Sequence, residues 1–172
     1  IQPTMWGLFF EDINFGADGG LYAELIKNRS FEFDNRLMGW ESFGEVSIHE
    51  DNPCFDRNPR YVRLSYTTEL NAAGLENRGF SGIGLKAGEK YLFSLYGRTS
   101  GEAPVVLLVQ LVSRSNVILN AKEIIITGQE WQKYEAELTS PVTDAQARLR
   151  ILVKARGSSA DLDHISLFPA KT

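Results

Sequence analysis

From Ser30 onward, short runs of alternating apolar and polar residues follow one another, broken by Gly, Pro, Asn and Asp. A period of two sends successive side chains to opposite faces of an extended chain. The pattern predicts strands at 45–49, 61–66, 74–78, 90–98, 104–113, 117–126, 132–138, 147–155 and 162–168. The same alternation assigns faces. Ala147, Leu149, Ile151 and Val153 point inward while Arg148, Arg150 and Lys154 point out. Tyr91, Phe93 and Leu95 form one apolar face, Val62, Leu64 and Tyr66 a second, and Tyr134, Ala136 and Leu138 a third. So many strands with little convincing helix predict an all-β fold, a two-sheet antiparallel sandwich of jelly-roll type.

The first thirty residues read differently. TMWGLFF at 4–10 is a compact apolar run, as in a strand buried on both faces, and EDIN closes it. A Gly-rich stretch, GADGG, precedes LYAELIKN, in which Leu21, Glu24, Leu25 and Asn28 share a helical spacing. A buried strand, a Gly-rich loop and a short helix resemble the first unit of an α/β fold. The chain therefore divides into 1–29, an opening strand and helix, and 30–172, the sandwich.

Composition narrows the functional classes. The formal net charge of −4 argues against a nucleic-acid platform, which is usually basic. No apolar run approaches the ~20 residues of a membrane-spanning helix, so no membrane partner is expected. The single cysteine, Cys54, allows no internal disulfide, and His49 and His164 have no zinc-ligand spacing. The 172 residues begin Ile-Gln-Pro, with neither an initiator Met nor a signal core.

No nucleophile elbow, phosphate-binding loop, dinucleotide fingerprint or HExxH motif is present. GFSGIG at 79–84 reads as a turn between strands. Two acidic spots stand out. Glu11 and Asp12 close the first apolar strand, where a barrel enzyme would carry an active-site group or where the strand merely ends. Asp163 shares strand parity with Ile165 and Leu167, which predicts a carboxylate turned toward the core; Asp161 has the same parity or caps the strand in solvent. A buried carboxylate needs a partner, and a cation held by further oxygens is one solution. Sugar binding is the third chemistry, since apolar sugar faces lie on aromatic rings while polar groups hold the hydroxyls. Aromatics on polar faces are the candidates: Tyr61, Tyr96 and Trp131, with Arg63, Arg98, Gln110 and Asn77 as companions. Trp6 and Trp40 are expected to pack internally.

Two resemblances follow from these residues. GLFFEDINFGADGGLYAELIKNRSFEF, nearly thirty consecutive residues, resembles the opening of the α-L-arabinofuranosidases of glycoside hydrolase family 51. In that family the strand ending Phe-x-Glu belongs to the catalytic (β/α)₈ barrel, and its Glu helps bind arabinose; by resemblance that positioning role falls on Glu11. The segment 30–168 is similar to the carbohydrate-binding modules of families 4, 9, 16 and 22. NRSFEF with GW at 39–40, LKAGEKYLFSLYGR at 85–98, WQKYEAEL at 131–138 and DLDHISLF at 161–168 occur in the order that superfamily shows.

The second resemblance implies a galactose-binding-like jelly roll with a structural calcium where first and last strands meet, held by Glu32 and Asp163. The first implies a parent enzyme that is a retaining glycosidase, whose acid/base and nucleophile glutamates would lie on later barrel strands. Nothing after Phe168 supplies those strands, so the chain alone is expected to be inactive, with no catalytic residue of its own. The expected partners are the remainder of that barrel and an arabinose-containing polysaccharide, and the expected location is secreted or periplasmic. Sugar contact is expected at Tyr61, Arg63, Tyr96 and Trp131. The alternative is a structural module that braces the barrel and has no sugar site.

Overall fold

A computed structural model of the chain describes residues 24–66, 73–154 and 157–170. Their regular structure is all β, in eleven strands: β1 Trp40–Phe43, β2 Glu45–His49, β3 Tyr61–Tyr66, β4 Gly74–Asn77, β5 Ile83–Leu85, β6 Lys90–Thr99, β7 Val105–Val112, β8 Ile118–Ile126, β9 Gln132–Thr139, β10 Asp144–Val153 and β11 Ser158–Pro169. One sheet has the order β1-β4-β10-β7-β8, with β5 also on β10, and the other β2-β3-β11-β6-β9. All pairings are antiparallel. Because the chain passes back and forth between the sheets, both inner faces close over one core, the jelly-roll arrangement.

That core follows the alternation in the sequence. Leu149, Ile151 and Val153 on β10 and Leu107, Val109 and Leu111 on β7 meet Tyr91, Phe93 and Leu95 on β6 and Leu162, Ile165 and Leu167 on β11. All are essentially inaccessible to solvent. Two strands were not expected. β1 has only four residues, and β5 begins in the last two residues of GFSGIG, where a turn was predicted. Residues 24–28, the part of the expected helix that is described, are not helical. Leu25 N–H instead donates to Leu167 O and Ile165 N–H to Arg29 O, so this segment runs beside β11 beyond the end of β3. Asn28, with φ +60°, turns the chain away and donates from its amide to Arg36 O and Met38 O. Glu11, Asp12, Trp6 and the 4–10 strand lie outside the described residues.

β11 carries the irregularity that matters most. Ala160 and Leu162 face the core, and so do Ile165 and Leu167, which is possible only if one extra residue intervenes. Its register with β6 shifts between Asp163 and Ser166, and His164 takes φ +48°. The bulge reverses parity. Asp163 pairs with Tyr96 and shares the outer face with Asp161, which pairs with Arg98. The expected core-facing Asp163 is therefore corrected: it is fully buried, but on the other side of the sheet.

Gly74 on β4 has no room for a side chain. A Cβ there would stand 2.6 Å from Ile151 O and 2.8 Å from a Phe43 ring carbon. Gly74→Ala should lower the unfolding free energy by about 1–3 kcal/mol, read from denaturant titration, because backbone on the neighbouring strand must move.

Candidate functional site

Each sheet carries on its outer face one buried carboxylate gripped by two arginines. On the five-stranded sheet the carboxylate is Asp161, in the middle of β11, with Arg63 of β3 and Arg98 of β6 directly opposite. Arg63 donates from Nε at 2.7 Å and from Nη2 at 3.1 Å, and Arg98 from Nε at 2.9 Å. Alternation fixes this, since all three residues are out of phase with the core positions beside them.

Two of the three aromatics expected to bind sugar, Tyr61 and Trp131, flank this centre, and the 50–58 loop lies against them. The Tyr61 ring is fully buried, its hydroxyl donating to Asp51 O at 2.7 Å and accepting from Arg98 at 3.1 Å. Burial first, then the Asp161 charge, raises its phenol pKa. Trp131 Nε1 donates to Asn52 O, as does Arg98 Nη1. The Arg98 guanidinium lies 4.5 Å from the Trp131 ring centre and 5.1 Å from that of Tyr61. Tyr96 stands apart, with Phe55 edge-on at 5.0 Å. Of the expected set, Tyr61, Arg63 and Trp131 thus meet around one ion-pair centre, and Tyr96 joins a second aromatic group with Phe55 and His164. The companions Gln110 and Asn77 belong to the other sheet. Asn77 serves the fold there, accepting from Gly79 and Lys27 N–H and donating to Lys27 O.

Beside this face, next to the bulge, lie the two residues expected to hold calcium. Asp163 Oδ1 accepts from His164 N–H, but its buried Oδ2 has no protein partner. Burial raises the Asp163 carboxyl pKa. Glu32 is raised too, by burial first, with Asp163 and Glu50 acting in the same direction against the Arg60 N–H and guanidinium. The neighbouring Cys54 thiol is pushed up to about 12, by burial and then by Asp163. Two mutually repelling carboxylates, one with an orphaned oxygen, suit a hard cation with oxygen ligands. Among the described residues no His, Cys, Asp or Glu forms a group of three or more here, so the remaining ligands would be carbonyl oxygens and water.

The six-stranded sheet presents a different surface. Glu76 on β4, 4 % exposed, accepts from Arg148 Nη1 at 2.9 Å and Arg150 Nε at 2.8 Å. Asn116, in the β7–β8 turn at φ +72°, accepts from both arginines. Arg148 also donates to Ser113 O. Across the strands, Glu76, Arg150, Gln110 and Ala121 form one row, and the buried Gln110 Oε1 has no partner. Over Arg148 and Asn116, to one side of that row, opens a cleft of about 570 Å³, lined also by Arg78, Gly82, Arg114 and Gln146. Phe80, 67 % exposed, sits in the turn between the lining residues Arg78 and Gly82, and Val117 and Ile118 stand exposed beside Asn116. Sequence reading missed this site because its members are arginines at outward positions, which elsewhere are ordinary solvated charges. The available signal was two of them, Arg148 and Arg150, on one strand face.

Solved carbohydrate-binding modules share this two-sheet antiparallel sandwich. The chain belongs to the carbohydrate-binding domain family represented by modules 4 and 9, whose model matches residues 23–160. It is similar to the extracellular exo-α-L-arabinofuranosidase of Streptomyces chartreusis, at 37 % identity over its whole length but 21 % of the relative's. It is also similar to α-L-arabinofuranosidase 1 of Arabidopsis thaliana, at 32 % identity over 28 % of that protein. The chain thus spans less than a third of these relatives. Among solved structures it matches the arabinose-bound MgGH51 α-L-arabinofuranosidase, with a TM-score of 0.78, 27 % identity and coverage of 96 % of this chain and 29 % of that one. A xylan-binding domain of Paenibacillus barcinonensis Xyn10C shares the fold, with a TM-score of 0.62 and 17 % identity over 88 % of this chain and 97 % of that domain.

Removing one member of the Asp161 centre tests its part in the fold. Asp161→Asn leaves two guanidiniums facing each other without their counter-charge and should cost about 3 kcal/mol, measured by denaturant unfolding. Glu41→Gln, on an exposed pair with Arg78, should change stability by less than about 0.5 kcal/mol.

Proposed function

We propose that this chain is the sugar-binding module of a secreted α-L-arabinofuranosidase and that it holds arabinose-containing plant polysaccharide in the cleft on the six-stranded sheet. The open cleft carries the reading. Its polar floor at Arg148 is locked by Glu76 and Asn116 before any ligand arrives, and an exposed aromatic, Phe80, belongs to the turn that joins the lining residues Arg78 and Gly82. A preorganised polar floor with an apolar edge matches what a pyranose or furanose ring offers, hydroxyls around C–H faces. On the opposite sheet the hydrogen-bonding groups of Tyr61 and Trp131 are already spent on Asp51 and Asn52.

In the whole protein, a retaining barrel would release terminal arabinofuranose, with Glu11 positioning the sugar and catalytic glutamates supplied from outside this chain. The relatives' names and the extracellular one among them support that reading. Calorimetry with arabinoxylan and arabinan oligosaccharides tests the module. Phe80→Ala should weaken binding about fivefold to tenfold while Trp131→Ala leaves it unchanged. The reverse pattern would move the site to Tyr61, Arg63, Tyr96 and Trp131. An absence of heat with every oligosaccharide would leave a structural brace for the barrel.

A calcium ion held by Glu32 and Asp163 belongs to the same proposal. It would neutralise the buried Asp163 and the half-buried Glu32 and tie the 24–33 segment to the bulge of β11. Chelation should lower the melting temperature by several degrees, and Asp163→Asn should abolish the difference between chelated and calcium-loaded protein. An identical melting temperature with and without chelator would contradict it.

A further inference from the structure

The cleft holds more positive charge than a neutral sugar requires. Three of its six lining residues are arginines and none is acidic, in a chain of net charge −4. A guanidinium only donates hydrogen bonds, whereas a sugar hydroxyl needs acceptors as well as donors. A cleft serving hydroxyls alone would add carboxylates to its amides; here the amides are Gln146 and Asn116, and the Asn116 oxygen is already spent on Arg148 and Arg150. Here the one carboxylate beneath the floor, Glu76, is already shared between Arg148 and Arg150.

The other charges offset the excess only in part. Arg78 meets Glu41 only at 3.5 Å, with both side chains more than 60 % exposed, a pair of little worth in water. The Asp144 carboxylate, beside Arg114, accepts main-chain N–H groups from Arg114 and Gln146, which together with the nearby arginines hold its pKa down. The Arg114 and Arg78 side chains are exposed and can swing over a ligand, while Arg148 is fixed beneath it. Gly82 keeps the end of the cleft open: a Cβ there would stand 2.9 Å from Gln146 Oε1 and 2.7 Å from Ala145 O.

We propose that the polysaccharide held in this cleft is acidic, and that Arg78, Arg114 and Arg148 grip the carboxylate of a hexuronate residue. The inference rests on the reading of this cleft as the sugar site. A planar carboxylate fits the guanidinium fork, and the exposed Phe80, Val117 and Ile118 suit a pyranose ring carrying it better than a bare inorganic anion. Two polysaccharide sources present that chemistry: a glucuronate branch on a xylan and a galacturonate in a pectin backbone.

Calorimetry of the chain with three probes separates them: a glucuronate-branched xylo-oligosaccharide, the same oligosaccharide after carboxyl reduction, and trigalacturonate. At least one acidic probe should bind about tenfold or more tighter than the reduced one, as a single charge-assisted bond would give. The advantage should shrink as salt is raised. Arg78→Gln and Arg114→Gln, both at exposed positions, should remove most of that advantage, so that on each variant the acidic and reduced oligosaccharides bind nearly alike. The probe preferred assigns the source. Equal binding of the acidic and reduced forms, with trigalacturonate no tighter, would overturn the inference and leave the sugar site standing. No binding of any probe, together with none of arabinoxylan, would overturn both.

Discussion

The sandwich depends on a charge held where a sheet normally meets water. Asp161 lies at the centre of the five-stranded sheet, 1 % exposed, with an arginine directly opposite on each neighbouring strand. This fixes register. Slipping β11 by one residue against either neighbour would turn Ala160, Leu162 and the core positions outward and set Asp161 opposite Val62 or Leu64 on β3 and Gly97 or Thr99 on β6. It also draws in its surroundings. Arg98, once committed to Asp161, has one nitrogen left for Asn52 O and one for Tyr61. Those contacts seat the 50–58 loop, and the loop covers the aromatic face.

Glu76 does the same service on the other sheet with a different outcome. Arg150 is directly opposite and Arg148 one step diagonal, so the carboxylate is satisfied from a single strand. The partner that completes the arginines, Asn116, comes from a tight turn at the sheet's end and does not extend across the face. The surface above therefore stays open, with Gln110 Oε1 unpartnered beneath it. One device, a buried carboxylate between two arginines, produces a closed face on one sheet and a preorganised cleft on the other. What separates them is whether a long loop lies over the arginines.

Nine of the eleven strands were legible, most clearly β6 and β10, where burial on one side imposes alternation, although β4 is buried at every residue and β11 shifts parity at its bulge. β1 and β5 are too short to show a period, and Gly84 interrupts the second. Sheet membership is not written in periodicity, which is why Gln110 and Asn77 seemed companions of aromatics on the opposite side of the molecule. Asp163 was misplaced for a sharper reason. The bulge that reverses its parity is made by His164 in a left-handed conformation, a position where Gly or Asn would have announced it. Alternation put Tyr61 on the correct face, yet a loop distant in the pairing pattern decides that its ring is buried. The apparent helix at 21–28 carried a genuine apolar spacing, but Leu25 N–H and Arg29 O find their partners on β11.

The two outer faces differ in kind, one covered by a loop seated on its own ion pairs and the other left with an open cleft. Backbone amide shifts recorded during titration with a bound oligosaccharide address this residue by residue. The largest changes should fall at 78–82, 113–118 and 146–150, with little movement at 61–63, 96–98 and 131. Changes concentrated around Tyr61, Arg98 and Trp131, with the arginine cleft silent, would contradict it.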